Sequence, residues 1–319
     1  MNPLYLTEGD VVATFPMKEA LGVVENAARA LAEGRAQNRP RQRAYTQSAV
    51  IQVLAASFEG RLGHKTYTVA PQGRGARFWV LLFDEGGQML AMIEADALGQ
   101  LRTGAASGIA TRFMAREDAK VLGVIGTGWQ ARTQLESVIH VRPINDVLVY
   151  GRDERRRELF CEEMAEKTGL RIRPVPNARE AVAQADVVCT MTSSTTPVFE
   201  GAWLQPGTHV NAAGSNRANS QEIDLETVRR SSLVAVEDVA QAKVESGDLL
   251  AAEAAGAFRW DDAVLLSDIV SGKARSRERA DQITLFESLG VGIWDVAAAS
   301  FVYDACIIEG RGTRLPIPS

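Results

Sequence analysis

The stretch Lys120-Val121-Leu122-Gly123-Val124-Ile125-Gly126-Thr127-Gly128-Trp129-Gln130-Ala131 carries the pattern G-x-G-x-x-A, directly after a short apolar run and directly before a segment of helical periodicity. In that setting the glycines let backbone approach a pyrophosphate, and the new helix offers it N–H groups and a positive dipole end. Glycine pairs also serve ordinary turns, but further strand–helix units behind this one favour a bound dinucleotide. An NAD site would show an acidic residue about 20 to 25 positions past the first glycine, on the ribose hydroxyls. Here the second strand ends Val149-Tyr150-Gly151-Arg152, with Arg155 and Arg156 close behind. Glycine at the acidic position and arginine beside it suit a 2′-phosphate, so NADP(H) is expected; Asp153 keeps NAD(H) admissible, and a solvated helix start is the blander alternative. Two further charges ask for partners. Arg102 lies among the small residues of Thr103-Gly104-Ala105-Ala106-Ser107 and is either a structural ion pair or a holder for a substrate carboxylate. Lys65 opens an apolar strand, where it must find an anion or lie at an exposed edge.

The elements that hold these groups follow from periodicity. Apolar residues at Met17, Ala20, Leu21, Val24, Ala27, Ala28 and Leu31 recur at helical spacing up to Gly34. Strands are expected over 49–58, 63–70, 76–83 and 88–94, with Asp84-Glu85-Gly86-Gly87 as a hairpin turn, which predicts an antiparallel sheet in roughly the first hundred residues. A helix over 96–116 leads to helix 130–141, strand 146–150, helix 153–168, strand 170–175, helix 178–184 and strands 186–191, 209–212 and 232–236. That alternation predicts a doubly wound parallel sheet. An alanine-rich helix over 239–260 and a last helix over about 289–309 close the chain, the last one returning to the first domain. The fold class is α/β, with a Rossmann sheet on residues 116–295 and a discontinuous α+β domain, with an antiparallel sheet, on residues 1–115 and 296–319.

Composition narrows the setting. With 319 residues, 46% hydrophobic and 24% charged, the chain suits two globular domains. A formal net charge of −5 gives no general attraction to nucleic acid or anionic membrane. Cys161, Cys189 and Cys306 are odd in number and scattered, which argues against a disulfide framework and for a cytoplasmic protein. His64, His140 and His209 lack metal-ligand spacing, and no metal is expected. Glu8 and Asp10 stand where a signal peptide would be basic, and no apolar run approaches the roughly 20 residues of a membrane span.

Taken in order, Gly63-His64-Lys65, Leu101-Arg102-Thr103-Gly104-Ala105-Ala106, Gly126-Thr127-Gly128-Trp129-Gln130-Ala131, Asn211-Ala212-Ala213-Gly214-Ser215-Asn216 and Gly290-Val291-Gly292-Ile293-Trp294-Asp295 resemble the ornithine cyclodeaminase and mu-crystallin family over nearly the whole chain. The resemblance implies a homodimer with an N-terminal substrate and dimerisation domain and a nicotinamide-binding Rossmann domain. It implies one of three activities: cyclodeamination, alanine dehydrogenation, or reduction of cyclic imino acids such as pyrroline and piperideine carboxylates. Lys65 and Arg102 match the pair that holds the substrate carboxylate, and Arg43 or Arg41 matches a further carboxylate arginine. Thr192-Ser193-Ser194 resembles the segment along the cofactor, Thr103 is counted with it, and Val291 resembles the residue beside the nicotinamide.

One departure bears on the reaction. Where cyclodeaminases carry an aspartate as general base, this chain has Asn216, whose amide is not basic near neutral pH. With Arg152, that favours an NADP-linked reductase or dehydrogenase interconverting imino acids, or a 2-oxo acid plus an amine, with L-amino acids. A cyclodeaminase using NAD without net turnover is the second expectation. A non-catalytic NADPH-binding protein of the mu-crystallin kind is the third, and the Lys65–Arg102 clamp speaks against it.

Overall fold

The computed structural model describes residues 2–70 and 76–316. Its chain divides into two compact units, Met1–Thr103 with Val291–Ser319, and Gly104–Gly290. Both ends of the chain therefore build the first unit.

The first unit's sheet runs in the order Thr313–Arg314, Leu4–Leu6, Met89–Glu94, Phe78–Phe83, Arg61–Val69, Val50–Phe58 and Ala36–Asn38, and Gln42–Tyr45 also pairs with Val50–Phe58. The hairpins are antiparallel as expected. Phe58 pairs with Arg61 across a two-residue turn in which Glu59 (φ 46°) and Gly60 (φ 80°) are both left-handed, the twist that suits paired strands. The edge differs from the expectation, because Leu4–Leu6 pairs parallel to Met89–Glu94 and makes the sheet mixed. A parallel neighbour needs a long connection, and here helices and a run of strands intervene. Helix Met17–Ala32 buries Met17, Ala20, Leu21, Val24, Ala27 and Ala28, the face read from their spacing.

Along Arg61–Val69 the side chains alternate, with Gly63, Lys65 and Tyr67 buried and Leu62 exposed. Gly63 explains how helix Gly292–Glu309 covers that face. A Cβ on Gly63 would lie 2.9 Å from the Leu81 carbonyl and 3.1 Å from Val296, and one on Gly292 would lie 2.9 Å from the Leu54 carbonyl. Two glycines thus set a close approach, and Asp295, on the first turn of the helix, ends up against Lys65.

The second unit's sheet runs Arg171–Pro174, Asp146–Tyr150, Val121–Ile125, Val187–Thr190, His209–Ala212, Ile283–Glu287, Ser231–Val236 and Ala263–Leu265. Every neighbouring pair is parallel. The order reverses beside Val121–Ile125, and a doubly wound sheet opens its crevice there, beyond the carboxyl ends of the strands.

Two expected helices also need correction. The helix expected over 239–260 is two helices, Val239–Glu245 and Gly247–Ala254. Ser246 leaves helical backbone, accepts the Leu249 N–H at 3.1 Å and donates to Glu287 at 2.7 Å, so its side chain starts a new helix instead of extending the old one. The last helix begins at Gly292, because Gly290 is left-handed (φ 73°), with the N–H groups of Leu289 and Gly290 held by the Glu237 carboxylate at 2.8 and 2.7 Å. Strand Ile283–Glu287, absent from the sequence reading, lies buried between two parallel neighbours. Among the described residues no helix is long and apolar enough to cross a membrane.

Candidate functional site

A cavity of about 450 Å³ opens in the second unit at the carboxyl ends of Val121–Ile125, Asp146–Tyr150 and Val187–Thr190. Its walls include Gly126, Thr127, Gly128, Trp129 and Gln130, then Gly151, Arg152 and Arg156, then Thr192, Ser193 and Ser194. These segments, far apart in the chain, are the ones the sequence reading assigned to a cofactor. Gly126 has φ 112°, and a Cβ there would lie 2.2 Å from the Met191 carbonyl, so both conformation and space demand glycine. Helix Trp129–Val141 starts at Gly128 without a side-chain cap, which suits an anion at its N-terminus. Ala131 is fully buried and packs into the core behind the loop, where a larger side chain would push the helix off the sheet.

At the end of the second strand, a Cβ on Gly151 would meet Thr127 at 3.0 Å. An acidic side chain at 151 would therefore have to displace Thr127. The arginines there divide by role. Arg152 and Arg156 are exposed on the cavity wall. Arg157 is buried and donates to the Gly151 carbonyl at 2.8 Å, holding the turn. Asp153 lines the cavity and caps helix Glu154–Thr168 by accepting the Arg156 N–H at 2.9 Å.

A buried carboxylate that sequence reasoning missed underlies the opposite wall. Glu222 accepts from the Thr190 hydroxyl at 2.8 Å, the Thr192 N–H at 2.6 Å and the Gly214 N–H at 2.6 Å. Asp248 in turn accepts the N–H groups of Glu222 and Ile223 at 2.9 and 3.0 Å, and burial pushes its own pKa up to about 7. In sequence Glu222 is one acid in a polar loop, and nothing in its neighbours announces its partners. Asn216 is half-buried in the same loop.

The first unit holds a separate charged constellation. Lys65 Nζ and Arg102 Nε both donate to Oδ1 of Asp295, at 3.2 and 2.8 Å, and all three residues are buried. Oδ2 of Asp295 has no hydrogen-bond partner among the described residues. Lys65 also lies over the Phe78 ring, 4.8 Å from its centroid. Burial, opposed by the Asp295 charge and reinforced by Arg102 and Arg41, lowers its pKa to about 8. Arg41 is buried and donates to the Tyr67 hydroxyl at 2.6 Å, which donates to Gln52 at 2.9 Å. Arg43 is half-buried on Gln42–Tyr45, opposite Gln52. Thr103 and Val291 also belong to this unit. The Thr103 hydroxyl bonds the Gly99 carbonyl at 2.7 Å, and Val291 is the buried N-cap of helix Gly292–Glu309.

The model of the ornithine cyclodeaminase/mu-crystallin family matches residues 1–309 of this chain. The chain belongs to that family. Among members of the ornithine cyclodeaminase/mu-crystallin family it is 37% identical over 275 residues to the Delta(1)-pyrroline-2-carboxylate reductase of Bacillus cereus, covering 84% of each chain. It is 32% identical over 322 residues to the alanine dehydrogenase of Archaeoglobus fulgidus, covering 99% of this chain and 98% of that one. The Delta(1)-pyrroline-2-carboxylate reductase of Thermococcus litoralis, solved with NADH and L-proline, superposes with a TM-score of 0.93 at 34% identity, over 98% of this chain and 100% of that one.

Proposed function

We propose that this protein is a nicotinamide-dependent oxidoreductase that interconverts imino acids and L-amino acids by moving hydride to or from Cα. The observation that carries this reading is the pair Lys65 and Arg102 sharing one oxygen of one buried carboxylate. Two buried cations on one anion leave a positive charge to be matched, and an amino-acid carboxylate is the anion that fits. Membership of a family whose compared relatives include imino-acid reductases and an amino-acid dehydrogenase supports the same reading.

The glycine cradle at Gly126 and the cavity of the second unit fit a nicotinamide dinucleotide. When bound, the cofactor supplies or receives hydride at its nicotinamide ring. Lys65 and Arg102 hold the substrate carboxylate, and Arg41, whose charge acts on Lys65, is the better placed of the two candidate arginines. Orientation of Cα through that carboxylate is where most of the rate is gained. With its pKa at about 8, Lys65 can also give a proton to the imine nitrogen near neutral pH. Thr103 and Val291 are assigned to the cofactor, as are Thr192, Ser193 and Ser194. Asn216 offers no base for removing the substrate amine, so ornithine deamination is not its reaction. NADP(H) is the preferred form, because Arg152 and Arg156 line the cavity beside Gly151. The protein works in the cytoplasm as a homodimer.

Oxidation of NADPH followed at 340 nm tests this. A five- or six-membered cyclic imino acid, or a 2-oxo acid with an amine, should be reduced, and ornithine with NAD should release little ammonia. Rapid ammonia release from ornithine would overturn the assignment.

A further inference from the structure

We propose that Glu222 is a positioning residue whose buried charge makes the cavity favour the oxidised over the reduced nicotinamide. This rests on the reading of the cavity as a dinucleotide site. The carboxylate takes one backbone N–H on each oxygen, from Thr192 on Oε1 and from Gly214 on Oε2, and Thr192 and Gly214 both line the cavity. Backbone N–H groups can only donate, so these bonds require acceptors on both oxygens and favour the ionised carboxylate. The same carboxylate fixes the spacing of the two loops it joins. A Cβ on Gly214 would lie 2.4 Å from Glu222 Oε1, so the glycine at 214 is there to admit the carboxylate.

Burial raises the Glu222 pKa, and the bonds from Thr192, Thr190 and Gly214 pull it back. The three donors favour the ionised form against that burial, and the balance leaves the pKa above the usual carboxylate value. A dinucleotide across the switch point puts its adenosine half over the end of Asp146–Tyr150, where Arg152 is, and its nicotinamide half over the loops that Glu222 joins. The oxidised ring carries a positive charge and the reduced ring carries none. A buried unit charge behind that half therefore discriminates between the two, by about tenfold in relative affinity for a separation on the order of 12 Å at an effective dielectric of about 20.

Calorimetric titration of the wild type and Glu222→Gln with NADP⁺, NADPH and 2′-phospho-ADP-ribose, which lacks the nicotinamide, tests the proposal. In Glu222→Gln the preference for NADP⁺ over NADPH should fall by about tenfold, with 2′-phospho-ADP-ribose bound within about twofold of wild type. Glu222→Asp, which keeps the charge, should keep most of the preference. An unchanged preference, or an equal loss for all three ligands, overturns the proposal and leaves the dinucleotide reading standing. If the wild type binds none of the three, the same comparison is made with NAD⁺, NADH and ADP-ribose, and failure to bind those as well removes the dinucleotide reading and the proposal with it. Should Glu222→Gln fail to fold, Glu222→Ala decides, since it removes the same charge without turning an amide N–H on the Thr192 and Gly214 donors; the preference should again fall by about tenfold, and no movement overturns the proposal.

Discussion

Lys65 lies on the core face of a strand, 4% exposed, and Asp295 only partly offsets the cost of burying its charge. A pKa lowered to about 8 means the ammonium is present below that pH and lost above it. Because the proposed clamp needs the ammonium, kcat/KM for reduction should level off on the acid side and fall about tenfold per pH unit above about 8. Lys65→Met should lower kcat/KM by at least about a hundredfold and abolish that limb, with NADPH affinity unchanged within about twofold. A full-rate variant, or one that loses NADPH instead, would remove Lys65 from the substrate site. Lys65 and Arg102 were legible as charges in apolar or close-packed surroundings that had to find partners. Asp295 was not, because it lies 230 positions from Lys65 and only the packing of helix against strand brings them together.

Strand Asp146–Tyr150 shows what periodicity can and cannot reveal about an element. Its existence and its G-R end were plain, whereas the contact that crowds a side chain at 151 depends on Thr127 from a neighbouring loop. The arginines after it looked alike in sequence, yet Arg157 is buried on the Gly151 carbonyl while Arg152 faces the cavity. Arg152→Ala should therefore weaken NADPH by about one to two decades and leave NADH nearly unchanged, read as dissociation constants. Equal losses for both, or none, would refute the preference for the phosphorylated cofactor. Parallel strands and their helices were legible because buried sheets read as apolar runs. The break at Ser246 was not, since alanine-rich sequence favours helix on both sides of it and the decisive partner, Glu287, is remote.

The first unit's sheet carries an exposed apolar patch on the face opposite Lys65. Ile51 and Leu62 are 42% and 46% exposed, and Val53, Ala55, His64 and Phe83 line a shallow hollow beside Leu62. An apolar patch of this kind calls for a cover, and the cover we propose is a second copy of the chain. Light scattering should give twice the 34.5 kDa chain mass at micromolar concentration, and Leu62→Lys should shift it toward one chain. A monomer throughout would contradict the dimer. This face was not legible in the sequence, because alternation says which residues share a face but not which face a helix will take. The proposed reaction turns on hydride reaching Cα, and label transfer reads that directly. With the cyclic imino acid and NADPH carrying deuterium at C4 on the transferred face, the L-amino acid product should be one mass unit heavier, with the label on Cα. An unlabelled product, or none, would contradict the account.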